Sequence, residues 1–168
     1  MTARRILKVT DSKARKPLAI AREKSRAAAP RRREHILIVD DENLIVQTGK
    51  EVLENLGYRV TGRTSSREAL ETVRLQPEMF DLVITDFIMP QMNGVELARE
   101  LTRLRPDMPI ILFSAIRQAV SAEKARRLGI KDYLIKPMRA AELHQAIRRV
   151  LDSRPPGGKV SKEKQGGG

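Results

Sequence analysis

Through the middle of the chain, short apolar runs alternate with stretches whose apolar residues recur every three or four positions. His35 to Asp40 is apolar at four consecutive positions and ends in acid. Ile45, Gly49, Val52, Leu53 and Leu56 follow on one helical face, and Gly57 stops that helix. Tyr58 to Gly62 is a second, weaker strand candidate. Ser65, Ser66, Arg67 and Glu68 have the character of a helix cap, and Ala69, Leu70 and Val73 continue as a helical face. Phe80 to Asp86 predicts a third strand, and Leu97, Ala98, Leu101 and Leu104 mark the next helix. A fourth strand runs from Pro109 to Ser114. A shorter helix covers about Val120 to Leu128 and ends at Gly129. Asp132 to Lys136 is the fifth strand, and Leu143, Ala146, Ile147, Val150 and Leu151 face inward on a last helix.

Strand starts near 36, 58, 81, 109 and 132 recur every 22 to 28 residues. Strands alternating with helices at this period predict an α/β fold, a doubly wound parallel sheet with helices on both faces. Strands 1, 3 and 4 are nearly continuous in Ile, Leu and Val, as strands buried on both faces are. This pattern defines a fold class and leaves function open.

Composition adds a question about charge. The 168 residues carry 33 Lys+Arg against 21 Asp+Glu, a formal net charge of +12. Residues 1–34 hold 12 basic and 3 acidic residues (+9), residues 35–153 hold 17 of each, and residues 154–168 hold 4 basic and 1 acidic (+3). A neutral domain of 119 residues is therefore expected between a basic, disordered N-terminal extension and a flexible Pro/Gly/Lys tail. Leu18 to Ala29 has helix-forming composition without a clean apolar stripe. Cysteine is absent, which excludes disulfides, thiolate metal sites and a Cys nucleophile. No apolar run reaches the ~20 residues that span a bilayer, and no secretory signal is evident. A cytoplasmic protein is expected.

The candidate chemistry collects at the carboxyl ends of the predicted strands. Asp40 and Asp41 follow strand 1, Asp86 ends strand 3, Ser114 ends strand 4 and Lys136 ends strand 5. In an open parallel sheet such ends converge on one crevice. Clustered carboxylates repel unless a cation neutralises them, and Mg²⁺ accepts a few carboxylates plus water. A lysine opposite them offers a point charge for a phosphate oxygen. Such a set suits a phosphoryl group beside Mg²⁺, with a carboxylate as nucleophile. Helix capping by Asp40 or Asp41 is the plainer alternative. It does not account for Asp86, which is separated from the next helix by a turn over Met89–Gly94, nor for Lys136 before Pro137.

Four motifs in order and spacing carry a resemblance: Ile38 to Glu42, Asp86 to Gly94, Phe113 to Ala115, and Asp132 to Pro137. Across His35 to Ser153 the chain resembles the receiver domain of bacterial two-component response regulators. The resemblance implies a flavodoxin-like sheet with strand order 2-1-3-4-5. It implies that Asp86 accepts a phosphoryl group from a phosphohistidine on a sensor histidine kinase or phosphotransfer protein. Asp41 would bind Mg²⁺ directly, Asp40 through water, and the Ile88 backbone carbonyl would add a further ligand. Ser114 would move onto the phosphoryl group, Lys136 would pair with it, and Tyr133 would turn inward as a switch. The surface that meets a downstream protein partner would be helix 4, strand 5 and helix 5, roughly Val120 to Leu151.

Ser114 stands where many members of that family carry Thr. Ile88 and Ile116, two positions beyond Asp86 and Ser114, predict slow loss of the phosphoryl group, because bulky apolar groups hinder an in-line water. Only 15 residues follow Ser153, too few for an output domain, so the phosphorylated receiver itself is expected to signal. The basic extension is open to several readings: nucleic acid bound through phosphates, an acidic protein, an anionic membrane, a transit peptide, or a solvated leader. A dehalogenase-type phosphatase would need a second Asp two residues after Asp86, where Ile88 stands. His35 and His144 are expected to be isolated surface or strand-edge residues.

Overall fold

A computed structural model of the chain describes residues 33–115 and 121–153. Residues 1–32 of the expected extension, with the Leu18–Ala29 helix candidate, and the tail, Ile116 and Val120 lie outside the described residues.

Five strands and five helices alternate: β1 (His35–Val39), α1 (Asn43–Asn55), β2 (Arg59–Arg63), α2 (Ser66–Leu75), β3 (Leu82–Asp86), α3 (Gly94–Leu104), β4 (Ile110–Ser114), α4 (Ala122–Arg127), β5 (Ile130–Ile135) and α5 (Ala140–Asp152). The sheet order is β2-β1-β3-β4-β5, and every pairing is parallel. This is the doubly wound sheet with order 2-1-3-4-5.

Alternation along the strands builds two apolar layers. Leu37, Val39, Val83, Ile110 and Leu112 face α2, α3 and α4, where they meet Leu70, Val73, Leu97 and Leu101. Ile36, Ile38, Leu82, Ile84 and Ile111 face α1 and α5, where they meet Val46, Leu53, Ile147 and Val150. Caps set the helix starts. The Ser65 hydroxyl accepts from the Glu68 amide, and Asn93 caps α3 in a capping box closed by Glu96.

His35 departs from expectation. His35 is only 4% exposed. Its Nε2 lies 2.9 Å from the Thr61 hydroxyl and its ring leans on Phe80. β1 lies inside the sheet, so its first residue is enclosed by β2 and β3. His144 Nδ1 is 3.3 Å from the Tyr58 hydroxyl. Tyr58 itself precedes β2 and is buried in the α1/α5 layer rather than starting the strand. Burial raises its phenol pKa against the opposing pull of Arg148.

Candidate functional site

The strand register brings the polar ends together. Val39 pairs with Thr85, so Asp40 and Asp86 come level one step further on. Asp86 pairs with Phe113, placing Ser114 one step beyond it, and Ser114 pairs with Ile135, placing Lys136 beyond that. The Lys136 amide donates to the Ser114 carbonyl at 2.8 Å. The Lys136–Pro137 peptide bond is cis.

The Lys136 ammonium donates to both carboxylates, at 2.6 Å to Asp40 Oδ2 and 2.7 Å to Asp86 Oδ1. The second oxygen of each carboxylate takes a backbone amide. Glu42 N donates to Asp40 Oδ1 at 2.9 Å, and Ile88 N donates to Asp86 Oδ2 at 2.7 Å. Asp40 and Asp86 are buried, and the ammonium also sits 5.2 Å from the Phe113 ring centroid. Burial alone would lower the Lys136 pKa. The hydrogen bonds and charges of Asp40 and Asp86 outweigh it and raise the pKa above the ordinary lysine value.

Other expected members of the set stand around this triad. Ser114 is buried at the end of β4. Asp41 is exposed and borders a hollow formed with Ser65, Arg67 and Met89. The Ile88 side chain is 59% exposed beside Asp86. Tyr133 is half-buried in β5 and packs on the α2/α3/α4 layer. Asp40 does not cap α1, since its carboxylate holds the Glu42 amide and α1 begins without a side-chain cap.

Among the described residues, no three His, Asp or Glu side chains cluster closely enough to form a ready metal site. The donor chemistry still suits a hard divalent cation. Two buried carboxylates share one ammonium, so the triad is net negative, and Asp41 adds a further charge at its edge. Mg²⁺ is content with such oxygen donors and keeps several waters.

Sequence reasoning did not anticipate the direct Lys136–Asp40 bond or the Phe113 ring beside the ammonium. Register alone could have placed Asp40 and Asp86 level, but side-chain reach across from β5 has no signature in the sequence.

The structure is thus an open α/β sheet with an acidic pair and a lysine at its carboxyl edge. The model of the response regulator receiver domain matches residues 36–148, and the chain belongs to that family. It is 34% identical over 117 residues to the chemotaxis protein CheY of Thermotoga maritima, covering 68% of this chain and 95% of that protein. It is 37% identical over 117 residues to the response regulator SaeR of Staphylococcus aureus (strain USA300), covering 70% of this chain but only 50% of that relative. Among solved structures, the receiver domain of the sensor histidine kinase PA1611 from Pseudomonas aeruginosa PAO1 superposes with a TM-score of 0.64 at 28% identity. The match covers 73% of this chain and 100% of that one, whose crystal has a magnesium ion coordinated in the active site cleft. The chain thus contains a CheY-like receiver domain of two-component signalling. No helix among the described residues is long and apolar enough to cross a membrane.

Proposed function

We propose that residues 35–153 act as a receiver in which Asp86 accepts a phosphoryl group from a phosphohistidine on a sensor histidine kinase or phosphotransfer protein. The observation that carries this reading is the Lys136 ammonium resting against Asp86 Oδ1 at 2.7 Å, with Asp40 on its other side. Asp86 Oδ2 is held by the Ile88 amide, which orients the carboxylate. Oδ1 is the oxygen that attacks phosphorus. The P–N bond of the phosphohistidine breaks, the P–O bond to Asp86 forms, and the imidazole leaves and takes up a proton.

Lys136 transfers its hydrogen bond from Asp86 to a phosphoryl oxygen, and Ser114 donates to a second. Asp40, Asp41, Asp86 and the Ile88 carbonyl are the groups that would hold Mg²⁺. When bound, that ion offsets the negative charge of the carboxylates and the phosphoryl group. The magnesium in the PA1611 receiver cleft supports that choice of metal. The only chemistry assigned to the chain is its own phosphorylation and dephosphorylation.

Phosphorylation adds charge and strong acceptors at one carboxylate. Movement of Ser114 toward them makes room for Tyr133, which couples the site to a protein partner at the α4–β5–α5 face. Ile88 stands exposed beside the acceptor, in keeping with slow loss of the phosphoryl group.

Incubation with a small acyl phosphate and Mg²⁺, read by intact mass, tests the reading. One phosphoryl adduct is expected in the native chain and none in Asp86→Ala. No adduct, or one that persists in Asp86→Ala, overturns it.

A further inference from the structure

Lys136 faces a third neighbour besides Asp40 and Asp86, and the strand register explains how it comes to be there. Asp86 pairs with Phe113, so the ring stands level with that carboxylate on the adjacent strand. Alternation sets the face. Ile38, Ile84 and Ile111 point into the α1/α5 layer, and two residues further on Asp40, Asp86 and Phe113 leave their strands on the same side. One row across β1, β3 and β4 thus reads carboxylate, carboxylate, ring. The Lys136 ammonium lies against all three, at 2.6 Å from Asp40 Oδ2, 2.7 Å from Asp86 Oδ1 and 5.2 Å from the Phe113 ring centroid.

The three neighbours differ in what phosphoryl transfer does to them. A cation within ~6 Å of an aromatic centroid is drawn to the negative face of the ring. That attraction is stronger where water is kept away, and here the Lys136 side chain is 22% exposed and the Phe113 ring is half-buried. Asp86 Oδ1 loses its negative charge as its electrons enter the bond to phosphorus, and its hold on the ammonium fades with it. The ring stays neutral throughout, does not titrate and makes no bond that changes.

What lies behind the ring gives its place a consequence. A cavity of about 650 Å³ opens between α1 and the start of α5, with Ile45, Val52, Ile84, Met138 and Leu143 among its walls. Those apolar walls offer an ammonium no partner. On that side, the Phe113 face is what an ammonium meets as it leaves Oδ1, before a phosphoryl oxygen takes the place of the carboxylate. Only a contact that strengthens on the way to the transition state speeds a reaction. The ring contact does so, because the competing carboxylate lets go as the new bond forms.

We infer that Phe113 is a positioning residue for phosphoryl transfer: its ring face holds the Lys136 ammonium at the carboxyl edge of the sheet while that ammonium passes from Asp86 to a phosphoryl oxygen. This rests on the reading of Asp86 as phosphoacceptor and adds a residue to it.

The test follows the rate of phosphoryl uptake by the full chain from a small acyl phosphate with Mg²⁺, read by intact mass. The deciding chain carries at position 113 a phenylalanine fluorinated on its three outer ring carbons. That change keeps the shape of the ring and strips the negative charge from its face. Uptake is expected to slow about two- to thirtyfold, the range to which loss of such a cation–π attraction converts, with thermal melting unchanged. Phe113→Leu should slow uptake as much or more, and Phe113→Tyr, which keeps the ring, should recover most of that loss. Should Phe113→Leu melt early, the fluorinated chain decides alone. Uptake at the native rate in the fluorinated chain, or Phe113→Tyr as slow as Phe113→Leu, overturns the assignment and leaves Asp86 as acceptor untouched. A native chain that takes up no phosphoryl group overturns both.

Discussion

Asp40 and Asp86 share a single counter-charge, and that inequality governs what substitutions do. Their side chains are 3% and 10% exposed, and the Lys136 side chain that bridges them is 22% exposed. Removing Lys136 leaves two buried carboxylates facing each other without a cation. Breaking a buried pair from one side costs about 3–5 kcal/mol, and the partial exposure of Lys136 puts Lys136→Ala near the lower figure. Removing one carboxylate has the opposite logic. In Asp86→Asn the remaining Asp40–Lys136 pair is electrically matched, and the amide oxygen can still accept from Ile88 N. We expect Asp86→Asn to change stability by less than about 1 kcal/mol. Urea unfolding of both variants checks this, and equal losses would refute the shared-cation account. The participants were legible in the sequence, because acid after an apolar strand and Lys before Pro mark strand ends. Their connectivity was not. Which oxygen meets Lys136 depends on a register between β1, β3, β4 and β5 that one chain does not display. His35 was misplaced for a related reason: being first in a strand says nothing about whether that strand lies inside the sheet.

At the scale of elements, α3 starts hard against the end of β3. A methyl group built on Gly94 would stand 2.1 Å from the Asp86 carbonyl oxygen, and that obstacle is backbone. The Gly94 amide also donates to the Phe87 carbonyl at 3.0 Å, tying the helix start to the turn after β3. Gly94→Ala must therefore push α3 and the end of β3 apart. A loss of about 2–3 kcal/mol is expected, together with slower phosphoryl uptake at the displaced Asp86. Gly49 makes the useful contrast. Its added methyl would meet the Ile38 side chain, chiefly the terminal Cδ1, and no backbone. Within α1 the gain in helix propensity of about 1 kcal/mol offsets that adjustment, so Gly49→Ala should remain within about 1 kcal/mol of the native chain. Equal destabilisation of the two in urea would count against the backbone contact as the cause. The five alternating units were readable because each helix carries a clear apolar face. The boundaries that slipped have local causes. β5 begins at Ile130 rather than Asp132, since a register irregularity beside Ile110 and Ile111 accommodates Lys131. The Asn93–Glu96 capping box shows why the Met89–Gly94 turn ends where it does.

At the scale of the molecule, the two apolar layers grow from opposite faces of the same strands. β1 sends Ile36 and Ile38 to the α1/α5 side and Leu37 and Val39 to the other. β3 and β4 divide their residues in the same way, so neither layer can dissolve while the strands stay paired for the other. This predicts a single cooperative unfolding transition. The chain supplies its own reporters, having two tyrosines and no tryptophan. Tyr58 is buried in the α1/α5 layer, and Tyr133 packs against the opposite one. Tyr133→Phe leaves fluorescence from one layer only, and Tyr58→Phe leaves it from the other. Leu97, fully buried on the inner face of α3, belongs to the layer that Tyr133 reports. Leu97→Ala should cost about 2–5 kcal/mol through lost burial and the cavity left behind. Introduced into either single-tyrosine chain, it should lower the urea midpoint by the same amount, with the dependence on denaturant unchanged and far-UV circular dichroism following the same curve. A shift seen by Tyr133 but not by Tyr58 would mean that the layers unfold separately, and that the central strands do not bind them into one cooperative unit.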